Sequence, residues 1–198
     1  MTMKHLIFGA FAGVFLASGA ALAQQAPAPD AAPAAAPGRP EVKTVGDWFV
    51  RCFPVQSPSP CDMFQELDNQ RTGQRVVSLS FAFYPSLNRH ALVIAVPLEV
   101  SIPKGLKLQT STYTSPTLKY RRCDRNGCYV EMAVENGVIE SLAASSGDAG
   151  KIAIAADNGK VYNLNFSLKG FAAAHDDMVS QARAKAKTPA TPAPAANP

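Results

Sequence analysis

Two cysteines that bracket a tight turn constrain this chain more than any other feature of its sequence. Cys123 and Cys128 flank the residues DRNG, and apolar side chains recur at every second position afterwards, at 130, 132 and 134. Such alternation is typical of a strand, and a short polar loop containing glycine joins antiparallel strands. Segment 117–135 therefore predicts a β-hairpin closed by a disulfide, and such a bond persists in an oxidising compartment.

The four cysteines of the chain allow three disulfide pairings. Joining Cys52 to Cys61 and Cys123 to Cys128 is the local solution, and each bond then stabilises the fold by about 2–3 kcal/mol on a chain-entropy estimate. The alternatives are a redox pair or a zinc site. Neither pair has the C-x-x-C spacing of thiol oxidoreductases, although the second has the C-x4-C spacing of some zinc knuckles. Export to an oxidising compartment favours structural disulfides.

The N-terminus has the three parts of a signal peptide. Lys4 and His5 precede an apolar run over 6–16, and Ala21-Leu22-Ala23 supplies the small residues that signal peptidase requires. The run is shorter than the roughly 20 apolar residues of a membrane-spanning helix. A signal peptide over 1–23 is therefore favoured over a membrane anchor. We expect a periplasmic or secreted protein with no transmembrane segment after signal removal.

Composition divides the rest of the chain into one domain and two tails. Residues 24–40 and 187–198 are rich in Ala and Pro and lack the aromatic and branched aliphatic side chains that offset the entropy of ordering, so a linker over 24–44 and a tail over 185–198 are both predicted to be disordered. The ordered domain is predicted over 45–184, a length that can bury a core. Loss of the signal removes one of 19 basic residues and none of 15 acidic ones, leaving a net charge of +3. This excess is too small to indicate a nucleic-acid-binding protein.

Alternating apolar residues predict that the domain is mainly β. In 75–84 large apolar side chains occupy every second position, whereas 91–96 is apolar throughout, as in a central strand. Asp157-Asn158-Gly159 predicts a hairpin turn between strands at 151–155 and 161–168. Further strands are predicted at 46–53, 61–67 and 106–113. Many short strands separated by turn signals favour an antiparallel β-sandwich of jelly-roll-like type.

Two segments depart from the strand pattern. The apolar residues of 138–144 fit one helical turn or a short strand equally well. Phe171, Ala174, Met178 and Ala182 fall at helical spacing, with polar residues between them. We therefore predict a C-terminal amphipathic helix packed on the sandwich.

The sequence contains no recognisable catalytic constellation. It lacks the short motifs of serine hydrolases, nucleotide-binding loops, metalloproteases and dinucleotide-binding folds. His90 and His175 have no acidic partner at a favourable spacing. Glu131 and Glu135 share one strand face, but no aromatic platform for a sugar lies beside them in the sequence. We therefore predict a protein that is not an enzyme and needs no cofactor or metal.

A group of basic residues near the hairpin is the best candidate for a ligand contact. On a strand, Lys119 and Arg121 share one face, Arg122 faces the opposite way, and Arg125 lies in the turn. Lys119, Arg121 and Arg125 can then converge on an anionic surface, such as a phosphorylated lipid or a sulfated glycan. The alternative is that these charges only protect an edge strand from aggregation.

Several motifs resemble, in their order along the chain, the invasion-associated locus B family of bacterial exported proteins. They are Gly46-Asp47-Trp48 with Cys52 and Cys61, Val96-Pro97-Leu98-Glu99-Val100, Pro103-Lys104-Gly105-Leu106, Arg122-Cys123 with Gly127-Cys128, and Leu168-Lys169-Gly170-Phe171 with Ala174. The similarity spans about 45–178. Glu99 is a departure, since the family commonly has glycine or another small residue there.

The resemblance implies a secreted or periplasmic β-sandwich with no known catalysis, linked in pathogenic members to entry into host cells. It implies that Trp48 and Phe171 are core positions. The function that it favours is binding of a cell-envelope or host-surface component (a protein, a glycan or an anionic lipid) through the basic hairpin. One alternative is a periplasmic hydrolase or glycan-processing enzyme, which needs Glu131 or Glu135 near Asp62 or His90 on a concave sheet face. A weaker alternative is a redox-active protein.

Overall fold

The structure is a computed structural model, and it describes residues 39–145 and 147–187. The predicted signal peptide, residues 24–38 of the predicted linker and the tail from 188 onward lie outside the described residues. The elements are, in order, β1 (Glu41–Val45), β2 (Trp48–Cys52), β3 (Cys61–Asp68), β4 (Arg75–Tyr84), β5 (Arg89–Val96), β6 (Leu106–Gln109), β7 (Arg122–Asp124), β8 (Gly127–Val134), α1 (Asn136–Ala144), β9 (Ala149–Ala155), β10 (Val161–Ser167) and α2 (Phe171–Lys187).

The described strands form two antiparallel sheets that contribute to one core. The larger sheet has the order β1-β2-β3-β4-β5-β8-β7, and the smaller sheet has the order β10-β9-β6. A mainly β antiparallel sandwich with a C-terminal helix is thereby confirmed. Strands β1 to β5 pair with their neighbours in sequence, because short connections place consecutive strands side by side. This meander is simpler than the jelly-roll-like order that was expected.

The larger sheet begins earlier than composition indicated. Strand β1 pairs with β2 along its whole length, although its first four residues lie in the segment 24–44, which is predicted to be disordered. Its first four side chains are exposed, so the sequence shows no apolar alternation for this strand. Backbone pairing with β2, an ion pair between Lys43 and Asp177 at 3.0 Å and the packing of Val45 against the core hold it in place. At the other end, α2 continues to Lys187, beyond the predicted domain limit at 184.

The structure shows the secondary structure of two segments whose sequence patterns were ambiguous or misleading. The ambiguous segment 138–144 is helical and belongs to α1. The strand predicted over 106–113 stops at Gln109, because the N–H of Thr110 donates to the carbonyl of Tyr113 at 2.7 Å and closes a turn. The chain then folds back, and Leu118 pairs with Leu106.

An aromatic cluster lies at the centre of the core, where the helix meets the larger sheet. Trp48 and Phe171 are fully buried and meet edge to face, with ring centroids 5.3 Å apart, and Phe81 contacts both. Helix α2 packs against β2, β3 and β4. The helix buries the four residues that helical spacing indicated, which are Phe171, Ala174, Met178 and Ala182. Edge-to-face aromatic pairs contribute about 0.5–1.5 kcal/mol each beyond the area that they bury.

A buried glutamine links the two sheets beside this cluster. Gln65 on β3 donates to the carbonyl of Asp47 at 2.8 Å, and its oxygen accepts the N–H of Ser167 at 2.8 Å. The indole N–H of Trp48 donates to the carbonyl of Ser167 at 3.1 Å. Because both polar atoms of the amide have partners, burying it does not carry the cost of an unsatisfied group.

Candidate binding site

The disulfide-closed hairpin lies at the edge of the larger sheet. Cys123 on β7 faces Cys128 on β8 across the turn, and the two are joined by a disulfide, as the local pairing predicts. The chain arrives from the smaller sheet, since Leu118 pairs with Leu106 there, whereas the N–H of Arg121 already donates to Tyr129 on β8. The hairpin strand is therefore shorter than the sequence indicated.

Lys119 lies on this crossover between the sheets and not on a strand with Arg121. Its ammonium group donates to the carbonyl of Pro103 at 2.7 Å, at the turn that precedes β6. Arg125 lies exposed in the hairpin turn and has no charged partner within the part of the chain that the structure describes. Of the three predicted contact residues, Lys119 thus lies on the crossover and Arg125 lies in the hairpin turn. Arg121 lies between them, just before β7.

Two arginines share one carboxylate on the neighbouring strand. Arg122 contacts Glu131 at 2.8 Å and Asp124 at 2.7 Å, and its guanidinium lies 3.9 Å from the centre of the Tyr129 ring. Arg121 contacts the second oxygen of Glu131 at 3.6 Å and is 73% exposed. Both guanidinium groups therefore reach the same carboxylate, although Arg122 was expected to face away from Arg121; Arg121 precedes β7, so strand alternation does not govern the pair.

These contacts shift the ionisation of the hairpin groups towards their charged forms. The hydrogen bond to Glu131 raises the pKa of Arg122. The backbone N–H of Asn126 donates to Asp124 at 2.8 Å, and this bond, followed by Arg122, lowers the pKa of the Asp124 carboxyl. Both shifts favour the charged forms of Arg122 and Asp124, so these two groups form an ion pair within the hairpin.

We define the hairpin surface as the six charged residues on the crossover and on the hairpin that follows it, which are Lys119, Arg121, Arg122, Asp124, Arg125 and Glu131. Four are basic and two are acidic, so the surface has a net charge of +2. Exposed ion pairs contribute only about 0–1 kcal/mol, because water and salt screen them. The arginine contacts can therefore be exchanged for an external anion at little cost, while the two acids reduce the attraction relative to a purely basic patch.

The second disulfide joins Cys52 to Cys61, again as the local pairing predicts. An ion pair between Arg51 and Asp62 lies beside it. Arg51 makes a bidentate contact with Asp62 at 3.0 and 2.7 Å, and its guanidinium lies 4.5 Å from the centre of the Phe64 ring. The bond to Asp62 raises the pKa of Arg51. Sequence reasoning missed this pair. A usable signal existed, because residues adjacent to two bonded cysteines on paired strands face each other.

The two histidines of the domain meet although they are far apart in sequence. Nε2 of His90 on β5 lies 3.0 Å from Nε2 of His175 on α2, and Nδ1 of His175 contacts Asp176 at 3.1 Å. Burial is the main cause that lowers the pKa of His90, and His175 and Arg183 lower it further. Within 39–145 and 147–187, no cluster of three or more His, Cys, Asp or Glu side chains that suits a metal ion is present.

The residues that a hydrolase needs do not come together. Strand pairing places Glu131 and Asp62 on the outer face of the larger sheet, separated by β4 and β5, whereas His90 lies on the inner face with Phe83. Glu135 is exposed at the start of α1. The geometry therefore gives the hydrolase alternative no support.

Among the described helices, none has the length and apolar character needed to span a bilayer.

Comparison with known proteins gives the family of the chain and agrees with its fold. Residues 48–179 match the family described as Invasion associated locus B (IalB) protein. The Invasion protein B homologs of Brucella abortus strain 2308 and of its biovar 1 strain 9-941 are each 26% identical over 134 residues, which cover 68% of this chain and 76% of the relative. The crystal structure of invasion associated protein B from Bartonella henselae superposes with a TM-score of 0.59 at 22% identity, covering 71% of this chain and 97% of that one. The chain belongs to the invasion-associated locus B family.

Proposed function

We propose that this chain is a non-enzymatic exported binding protein that uses the hairpin surface to contact an anionic component of the cell envelope or of a host-cell surface. The observation that carries the proposal is that four exposed basic side chains lie on the crossover and the hairpin that follows it, and among the described residues acidic partners are seen for two of them, Arg121 and Arg122. The disulfide across the hairpin holds this edge in a fixed shape. Preorganisation of this kind lowers the entropy lost on binding.

Export is part of the same proposal. The chain carries a cleavable signal peptide over 1–23, is released after Ala23 and acts in the periplasm or outside the cell. Two disulfides support an oxidising location. The relatives in Brucella and Bartonella are named for invasion, and by likeness we propose that proteins of this type contribute to host-cell entry in pathogens.

The test is a salt-dependent binding measurement on a charge variant. Each Lys or Arg near an anionic membrane contributes about 1 kcal/mol. Removing three of them in the variant Lys119→Ser/Arg121→Ser/Arg125→Ser should therefore weaken binding on the order of 100-fold at low salt. Binding should be measured by cosedimentation with phosphatidylserine vesicles and, separately, on a sulfated glycan column, each at several salt concentrations.

The matched control is Lys104→Ser/Lys107→Ser/Lys160→Ser, which removes the same charge from exposed positions outside the hairpin surface. We expect this control to bind nearly as tightly as the unaltered chain. If both triple variants lose the same affinity, binding reflects net charge and not the hairpin surface. If the unaltered chain binds neither surface at low salt, the anionic-partner proposal is refuted.

A further inference from the structure

A cavity at one end of the sandwich has walls from both sheets. Its volume is about 390 Å³, within the range of about 300–1,000 Å³ that small-molecule sites occupy. The larger sheet contributes Val76, and the smaller sheet contributes Ile154 and Leu164. Leu98 and Tyr162 line it at the rim, where each is 49% exposed. The cavity thus has an apolar interior that opens to solvent.

Two chain connections fix the shape of this cavity. One is the segment after β5, and the other is the loop between β9 and β10. The N–H of Asp157 donates to the carbonyl of Glu99 at 3.1 Å, and the N–H of Ser101 donates to Ala155 at 2.8 Å. Val100 pairs with Ala156 between these bonds. Because backbone bonds tie the two connections together, the cavity is formed before any ligand arrives.

The charged groups of the cavity are all of one sign. Glu99 and Asp157 line it, and the lining residues in the described part of the chain include no Lys, Arg or His. Glu99 is held at φ +68°, a left-handed backbone conformation that residues with a Cβ rarely adopt. Strained positions of this kind cluster where ligands are held. An apolar interior with two carboxylates is complementary to a positive charge attached to an apolar body.

We propose that this cavity binds a small cationic amphiphile, whose apolar body contacts Val76, Ile154 and Leu164 and whose nitrogen faces Glu99 and Asp157. Burial of the apolar body drives binding, and the two carboxylates select the charge. The half-exposed ring of Tyr162 can add a cation–π contact. No residue of the hairpin surface lines this cavity, and the cavity has the opposite charge preference, so each proposal can be tested without the other.

The test compares three probes with the same phenylbutyl body, which are 4-phenylbutylamine, 4-phenylbutanol and 5-phenylpentanoate. Binding to the chain 24–198 should be followed through the amide shifts of an ¹⁵N-labelled sample. We expect the amine to shift the amides around Ser101 and in 157–162, and to bind at least tenfold more tightly than the carboxylate. The alcohol should lie between them.

The variant Glu99→Gln/Asp157→Asn keeps the shape of the cavity and removes both charges. It should lower the affinity for the amine about tenfold and abolish the preference over the carboxylate. The matched control, Glu66→Gln/Glu140→Gln, removes two charges outside the cavity lining and should bind the amine unchanged. The triple serine variant of the hairpin surface should also bind it unchanged.

Three results overturn the proposal. One is equal affinity for the amine and the carboxylate, and another is an amine site that maps elsewhere on the chain. The third is absence of amine binding up to millimolar concentration while the amide spectrum shows a folded protein.

Discussion

Replacing Gly46 by alanine tests the contact that joins the start of the domain to its C-terminal helix. Gly46 lies in the turn between β1 and β2 at φ +61°, and Gly170 precedes α2 at φ +82°. A methyl group on Gly46 would lie 2.5 Å from the carbonyl oxygen of Lys169 and 2.8 Å from the Cα of Gly170. The two glycines allow two backbones to approach more closely than any side chain permits.

The magnitude follows from three separable costs. A left-handed conformation costs a residue with a Cβ about 1–2 kcal/mol. Displacing the backbone breaks the bond from the N–H of Asp47 to the carbonyl of Lys169, at 3.1 Å, which contributes about 1 kcal/mol. It also strains the packing of Trp48 on Phe171, and overpacking of a core costs about 1–3 kcal/mol. We expect Gly46→Ala to lower the free energy of unfolding by about 3–6 kcal/mol.

Gly73→Ala supplies the matched control. Gly73 has φ +66°, and a methyl group built there meets no atom within 4 Å, so only the conformational cost of about 1–2 kcal/mol applies. Urea unfolding can be followed by the fluorescence of Trp48, the single tryptophan, which is fully buried. The double variant Gly46→Ala/Gly170→Ala should cost less than the sum of its parts, because one displacement relieves both contacts. Equal destabilisation by Gly46→Ala and Gly73→Ala would refute the close-approach argument.

Three further predictions concern the core, the Cys52–Cys61 disulfide and the histidine pair. Phe171→Ala should lower the free energy of unfolding by about 3–5 kcal/mol in the same urea assay, because it empties the centre of the aromatic cluster; a loss below 1 kcal/mol would show that α2 is not anchored there. Replacing Cys52 and Cys61 together by serine should cost about 2–3 kcal/mol, and an unchanged urea midpoint would contradict the bond. His90 has a lowered pKa in the fold, so below about pH 6.5 the unfolded chain binds a proton that the folded chain does not, and the free energy of unfolding should fall as pH drops towards the folded pKa. His90→Gln should flatten this fall relative to the unaltered chain, and an identical pH profile would exclude the pair as its source.

Local patterns in the sequence predict most of the core. Period-two alternation identifies β4, and helical spacing identifies the buried face of α2, because in both cases burial imposes the period. The disulfide pairs are predicted by their short loops. Strand β1 has no such signal, since its exposed side chains report nothing about the backbone bonds that hold it.

The candidate sites are less accessible to sequence reasoning because they depend on contacts between distant segments. His90 and His175 meet across 85 positions, and no local rule brings them together. Lys119 leaves the expected strand because the chain crosses between sheets after Leu118, which is a property of the whole sandwich. Arg51 and Asp62 are the exception, since their places beside Cys52 and Cys61 follow once that pairing is accepted.

The most direct test of the account is the intact mass, without reduction, of the protein isolated from cells that express it from its own start codon. We predict a chain that begins at Gln24 and is lighter by the four hydrogens that two disulfides remove. Unreduced peptide mapping should then join Cys52 to Cys61 and Cys123 to Cys128. A chain that keeps residues 1–23, free thiols, or a bond from Cys52 to either hairpin cysteine would contradict the account.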